Sequence, residues 1–331
     1  LKPSEWTPKT SALLAELASE AFEPDEFAVF EGGIETGRAF SELPFDHLLF
    51  TGSTRVAKEV SNSAAKNLTP LTLELGGKSP ALVCPGANLK RAAERIVFGK
   101  LANAGQICIA PDYVFVERAK FHDFIELLQT FIKKAYPRLN NNPDYTSIIS
   151  ADHFSRLNRM IEEAREDGAE IISINPDGET LESSARKIPP TLILRPNPTL
   201  GVMQEEIFGP ILPVLSYEKI EEAIEFVQHR ARPLALYLFT EKTRERERIL
   251  RETVSGGVAV NEVLFHCVCE TLPFGGVGAS GMGSYHGQAG FDTFSHLKPV
   301  FIQPRFNFNF FLVPPITPMK RLFARIFRKL V

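Results

Sequence analysis

Cys108 lies in Gly105-Gln106-Ile107-Cys108-Ile109-Ala110-Pro111, a stretch of small residues that reads as a loop between a helix and a strand. A free thiol is only a few per cent thiolate near neutral pH yet intrinsically very nucleophilic, and small neighbours leave backbone N–H groups free to hold an anion on a bound substrate. Cys108 is therefore a candidate for covalent catalysis. Upstream by 34 residues, Glu74 interrupts the apolar run Leu71-Thr72-Leu73-Glu74-Leu75 just before Gly76-Gly77. A carboxylate at a buried strand end is costly unless paired or used, and burial raises its pKa toward the range of a general base. A structural Glu satisfied by its neighbours is the competing reading, and the residues alone do not separate the two. Cys84 ends an apolar strand and reads as a small core residue.

Other segments could bind rather than react. Thr51-Gly52-Ser53-Thr54 joins a strand to a helix, where free N–H groups and a positive helix end can face a phosphate, although such junctions also carry Gly and Ser simply to turn. Lys2 and Glu5, read by themselves, are a solvated lysine and a helix-start carboxylate. Met203-Gln204-Glu205-Glu206-Ile207-Phe208-Gly209-Pro210 sets acids beside an aromatic ahead of a Gly-Pro turn, which alone fits a helix end and a core Phe. Cys267 and Cys269 form a Cys-x-Cys pair, but no second Cys or His cluster completes a zinc set and the adjacent His266 is too close to serve comfortably, so no metal is expected.

These residues need elements to position them, and helical and strand patterns alternate along most of the chain, the mark of an α/β protein with a largely parallel sheet. Helices are expected over 10–22, 55–67, 89–102, 119–135, 152–167, 218–229 and 241–253. Strands are expected over 27–30, 47–50, 71–75, 81–83, 113–116, 169–174, 191–194 and 235–239, with a polar surface loop at 175–187 and a Gly-rich run at 274–283. At 331 residues, with 44% hydrophobic and 23% charged, the chain suits about two globular domains. Its 37 Lys and Arg against 40 Asp and Glu argue against nucleic-acid binding. Four cysteines are too few for a disulfide scaffold and read as reduced thiols in a cytoplasmic protein. No secretory signal or apolar span of about 20 residues is visible.

Taken together and in this order, the segments closely resemble the aldehyde dehydrogenase superfamily over essentially the whole chain to about residue 302. Leu71-Thr72-Leu73-Glu74-Leu75-Gly76-Gly77-Lys78-Ser79-Pro80 resembles the family's glutamate motif and Gly105-Gln106-Ile107-Cys108 its cysteine motif, at a matching separation. Asp112-Tyr113, Leu272-Pro273-Phe274-Gly275-Gly276-Val277-Gly278 and Gly281-Met282-Gly283-Ser284-Tyr285-His286-Gly287 are similar to the class 3 branch and, more narrowly, to bacterial coniferyl aldehyde dehydrogenases. The resemblance implies an aldehyde dehydrogenase-like α/β fold. Residues 1–76 would be the second half of a Rossmann-type NAD-binding domain, 77–272 an α/β catalytic domain, and 273–331 a C-terminal return, oligomerisation segment and basic amphipathic tail.

By the same resemblance, Lys2 and Glu5 would hold the adenosine ribose, Gly52 and Ser53 the pyrophosphate, and Glu206 the nicotinamide ribose, with Phe208 near the nicotinamide. An acid at Glu5 favours NAD, with NADP as the alternative. Ala57 stands where many relatives have a glycine. The family also places half of its cofactor domain, and an asparagine that helps bind the oxyanion, before the segment that opens here, so the chain is expected to be a piece of a longer protein and inactive alone.

The chemistry implied is oxidation of an aldehyde to its acid. Cys108 attacks the carbonyl, hydride leaves to NAD, and Glu74 activates water to hydrolyse the thioester. Val263 to His266, with Phe265 and His266 as substrate contacts, favour aryl, cinnamyl-type or medium- to long-chain aldehydes. A non-catalytic interaction protein on this scaffold and a redox-free thioester hydrolase using Cys108 and Glu74 are the alternatives. The implied assembly is a homodimer. The tail Met319 to Val331 reads first as a helix packed on protein and second as a peripheral membrane anchor.

Overall fold

The computed structural model describes residues 1–307, 309–311 and 313–328 of the chain. It divides into two units, Leu1–Phe294 and Ser295–Val331. The helices in chain order are α1 (Pro8–Ala21), α2 (Ile34–Ser41), α3 (Thr54–Ala65), α4 (Leu89–Leu101), α5 (Phe121–Ala135), α6 (Ala151–Glu166), α7 (Gly201–Gln204), α8 (Ile220–Gln228), α9 (Thr243–Glu252), α10 (Gly287–Thr293) and α11 (Pro318–Phe327). The strands are β1 (Leu48–Thr51), β2 (Leu71–Glu74), β3 (Pro80–Val83), β4 (Tyr113–Glu117), β5 (Glu170–Ser173), β6 (Thr191–Leu194), β7 (Ile211–Tyr217), β8 (Ala235–Phe239), β9 (Gly257–Val260) and β10 (Gly281–Met282).

In the first unit, seven strands form one sheet in the order β5-β6-β7-β4-β3-β8-β9. Every neighbouring pair is parallel except β5 with β6. Parallel sheets are covered on both faces, so their strands carry apolar residues at successive positions. Val114 and Val116 accordingly join a core with α4 and α5, through Ile96, Phe124 and Leu128. Tyr113 and Phe115 point the other way into a core with α6, α8 and α9, through Leu157, Ile224 and Ile249. Cys84 is buried in this second core, as its place at a strand end suggested.

A smaller sheet, β1-β2-β10, lies apart in the ladder order. β1 runs parallel to β2, while β10 returns from far along the chain to pair antiparallel on the other side of β2, with Gly281 opposite Glu74. Ala57 of α3 is buried against Leu73 and Leu75, so its methyl group fills the packing behind β2.

The strand expected at 27–30 does not form. Ala28 and Phe30 bond only to the Leu1 backbone, with the amino terminus donating to the Ala28 carbonyl and the Phe30 N–H donating to the Leu1 carbonyl. Among the described residues no strand runs beside this segment, so it joins no ladder. β7 and β9 were not anticipated, and α2 fills a stretch left unassigned. Of the expected tail, Lys329, Leu330 and Val331 lie outside the described residues.

Candidate active site

Glu74 is the last residue of β2, the central strand of the small sheet. Its carbonyl accepts from the Gly52 N–H at 3.1 Å, and the next residue, Leu75, donates to the Ser280 carbonyl at 3.3 Å. The strand end is thus fixed from both sides. The Glu74 side chain is buried, and neither of its carboxylate oxygens has a hydrogen-bond partner. Burial pushes its pKa up to about 7.

Cys108 is delivered by a turn that follows α4. Asn103, Ala104 and Gly105 take three successive left-handed conformations. A Cβ on Gly105 would overlap the Gly209 carbonyl oxygen, so this position requires glycine for both its backbone and its space. Gln106 locks the turn: its amide donates to the Asn103 carbonyl at 3.0 Å and the Ser147 carbonyl at 3.1 Å, and its oxygen accepts from the Ile149 N–H at 2.9 Å. The Cys108 thiol is pushed up to about 11, first by burial and then by the charges of Glu206 and Glu74. A raised thiol pKa disfavours the thiolate at neutral pH, and a base near Cys108 would assist its ionisation.

Glu206 is the second acid of the cluster. A Cβ on Gly76 would collide with its carboxylate, so the first glycine after Glu74 leaves the space that Glu206 fills. The Gly77 backbone bonds to that carboxylate, yet burial, followed by the charge of Asp112, pushes its pKa up to about 7. Its backbone is clamped from below. Arg156 donates to the carbonyls of Glu206 at 3.1 Å and Ile207 at 2.6 Å. Asp112 accepts from the Ile207 N–H at 3.0 Å. Lys78 pairs with Asp112 and donates to the Val202 and Glu205 carbonyls at 2.8 and 2.9 Å. Phe208 follows in a left-handed conformation at φ 51°.

Gly52 and Ser53 lie at the mouth of α3, where the Ser53 hydroxyl accepts from the Val56 N–H at 3.3 Å and no acid occupies the first turn. Lys2 and Glu5 pair with each other at 2.8 Å beside Gly37 of α2, and that bond holds the Glu5 carboxyl below its ordinary range. Phe265 is half exposed and stacks on Phe98 with ring centres 6.0 Å apart. His266 turns inward between Tyr237 and Phe274, with both ring nitrogens unpartnered and its pKa lowered by burial.

Glu74, Cys108 and Glu206 are therefore brought into one electrostatic neighbourhood, and Gly52 is bonded to the first of them. Lys2 and Glu5 form a separate pair. Reading the residues alone assigned no role to Lys78, Asp112, Arg156, Gln106 or Phe98. Tyr285, which feels the charges of both Glu74 and Cys108, was also missed. A Lys inside an apolar motif and an Asp at a strand start were the available signals. Among the described residues no group of three or more His, Cys, Asp or Glu could hold a metal ion.

Comparison with known proteins gives a consistent picture. The model of the aldehyde dehydrogenase family matches residues 1–300. A probable coniferyl aldehyde dehydrogenase of Caulobacter vibrioides is 52% identical over 304 residues, 92% of this chain and 63% of that protein. The substrate-bound structure of Staphylococcus aureus AldH superposes with a TM-score of 0.89 at 41% identity, covering 98% of this chain and 70% of that one. A Mycobacterium tuberculosis aldehyde dehydrogenase complexed with NAD+ superposes with a TM-score of 0.83 at 30% identity, over 93% of this chain and 64% of that one. The chain spans somewhat less than two thirds of the coniferyl aldehyde dehydrogenases it matches.

Proposed function

We propose that this chain, which belongs to the aldehyde dehydrogenase family, carries the nucleophile and the base of an NAD-dependent enzyme that oxidises aryl or cinnamyl-type aldehydes to carboxylic acids. The observation that carries this reading is the buried Glu74, whose two oxygens are unpartnered and whose pKa is pushed up to about 7, in the electrostatic neighbourhood of a buried Cys108 thiol that is pushed up as well. A purely structural glutamate would be satisfied by its neighbours.

The residues present fit NAD. Glu206 offers a carboxylate in a glycine-lined space, the first turn of α3 carries no acid, and Lys2 and Glu5 form a partly covered ion pair. Glu206 would hold the nicotinamide ribose, Gly52 and Ser53 the pyrophosphate, and Lys2 with Glu5 the adenosine ribose, with Phe208 beside the nicotinamide. When bound, the cofactor supplies the hydride acceptor.

Glu74 takes the proton from Cys108, and the thiolate attacks the aldehyde carbon, giving a thiohemiacetal whose oxyanion faces the Cys108 backbone N–H. Loss of hydride leaves a thioester on Cys108. Glu74 passes the Cys108 proton on to solvent and then removes a proton from water, which attacks the thioester carbon; the acid leaves as the Cys108 thiolate is expelled and takes that second proton back from Glu74. Phe265, stacked on Phe98, and His266 would line the approach of the aldehyde. The working form is proposed as a cytoplasmic homodimer; no helix among the described residues is long and apolar enough to cross a membrane. Full-length protein mixed with NAD and an aryl aldehyde should produce NADH and acid in equal amounts. Acid released from a thioester with no NADH from aldehyde would favour the hydrolase instead, and neither product would favour an interaction protein.

A further inference from the structure

Seven of the chain's 37 Lys and Arg, and none of its 40 Asp and Glu, lie in residues 295–331. The segment is also rich in bulky apolar side chains that stand in solvent: Phe301, Ile302 and Phe306 are 82%, 82% and 95% exposed. A short basic helix is marginal in water unless it docks on something. Here the dock lies within the segment itself. Thr317 caps α11 by accepting from the Lys320 N–H at 3.4 Å, and Pro318 occupies the first turn. Phe323 stacks on Phe311 at 4.1 Å, and the Lys320 ammonium donates to the Val313 carbonyl at 2.6 Å above the Phe310 ring.

With the inner contacts made by Phe323 and Lys320, the rest of the helix divides by spacing. Met319, Leu322 and Ile326 recur at three and four residues and form one exposed apolar stripe. Arg321, Arg325 and Arg328 recur in the same way and form a cationic row on the adjoining face.

We propose that this segment is a docking surface for an anionic lipid bilayer, with α11 lying in the plane of the interface. The stripe enters the boundary of the acyl chains, the arginine stems extend along it, and their guanidinium groups meet lipid phosphates. Charge complementarity selects this occupant: a segment with seven Lys and Arg and no Asp or Glu matches a surface of net negative charge. The proposal deepens the proposed function, because apolar aldehydes partition into the same boundary.

The test is co-sedimentation of the full-length protein with vesicles of phosphatidylcholine alone or mixed with phosphatidylglycerol, read as protein mass so that enzymatic activity plays no part. The protein should pellet with the anionic vesicles, remain in solution with the neutral ones and be released by salt. Arg321→Glu with Arg325→Glu should weaken the anionic binding at least about tenfold, given roughly 1 kcal/mol for each basic residue at such a surface. Leu322→Ser with Ile326→Ser should weaken it too, with circular dichroism unchanged in both variants. Equal pelleting by wild type and the charge-reversed variant, or none by wild type, would overturn the proposal. So would a charge-reversed variant that dissociates a dimer in the absence of lipid while wild type ignores vesicles, which would assign the surface to a second copy.

Discussion

The backbone N–H of Gly52 donates to the carbonyl of Glu74 at 3.1 Å, so the turn proposed for the pyrophosphate and the carboxylate proposed as the base hang from one hydrogen bond at the end of β2. The two proposed roles are thereby placed at the ends of neighbouring parallel strands, β1 and β2.

The first prediction concerns pH. Glu74 works as a base only when ionised, and burial sets its pKa near 7. The rate of acid release should therefore rise about tenfold per pH unit below that value and level off above it. A profile flat from pH 5 to 8 would remove Glu74 from the role.

Glu74→Gln should lose steady-state turnover yet gain stability in alkaline solution. The folded protein binds the Glu74 proton more tightly than the unfolded chain does, so native stability falls as pH rises from about 4.5 to about 7. Replacing the carboxylate removes a penalty of at most about 3 kcal/mol above pH 7 and changes nothing from this source below pH 4.5. Urea denaturation at pH 5 and pH 8 reads the difference; a variant less stable than wild type at pH 8 would contradict it.

Lys78→Met should cost about 3–5 kcal/mol, because Asp112 would keep a buried charge without its partner. Adding Asp112→Asn should recover more than half of the loss while preserving an acceptor for the Ile207 N–H. Additive losses in the double variant would show that the pair is not coupled.

Phe98→Ala should raise KM for aryl aldehydes about two- to tenfold, the worth of one aromatic contact, with kcat nearly unchanged. An equal effect on small aliphatic aldehydes would place the ring elsewhere than at the substrate approach.

The residues that announce themselves in the sequence do so through local cost. Glu74 stands out because a charge breaks an apolar run, and Cys108 because small residues surround it. The clamp of Lys78, Asp112 and Arg156 under Glu206 joins positions up to about 130 residues apart, which no local pattern encodes. β7 is obscured by Pro213, a residue unusual inside a central strand, and β9 is only four residues long and opens on Gly257 directly after Gly256. The run at 27–30 has the composition of a strand, but among the described residues no strand lies beside it. The raised pKa of Cys108 was likewise hidden, since it depends on burial and on two acids that only the fold brings near.

The central claim is that Cys108 forms the covalent bond and Glu74 releases it. Its most direct test is intact-mass and peptide analysis of full-length Glu74→Gln protein after a brief reaction with NAD and an aryl aldehyde, beside Cys108→Ser as control. The account predicts one NADH per site and an acyl group on the Cys108 peptide that persists, with neither product from Cys108→Ser although NAD still binds. Rapid continuous turnover by Glu74→Gln without any adduct, or NADH at the wild-type rate from Cys108→Ser, would contradict it.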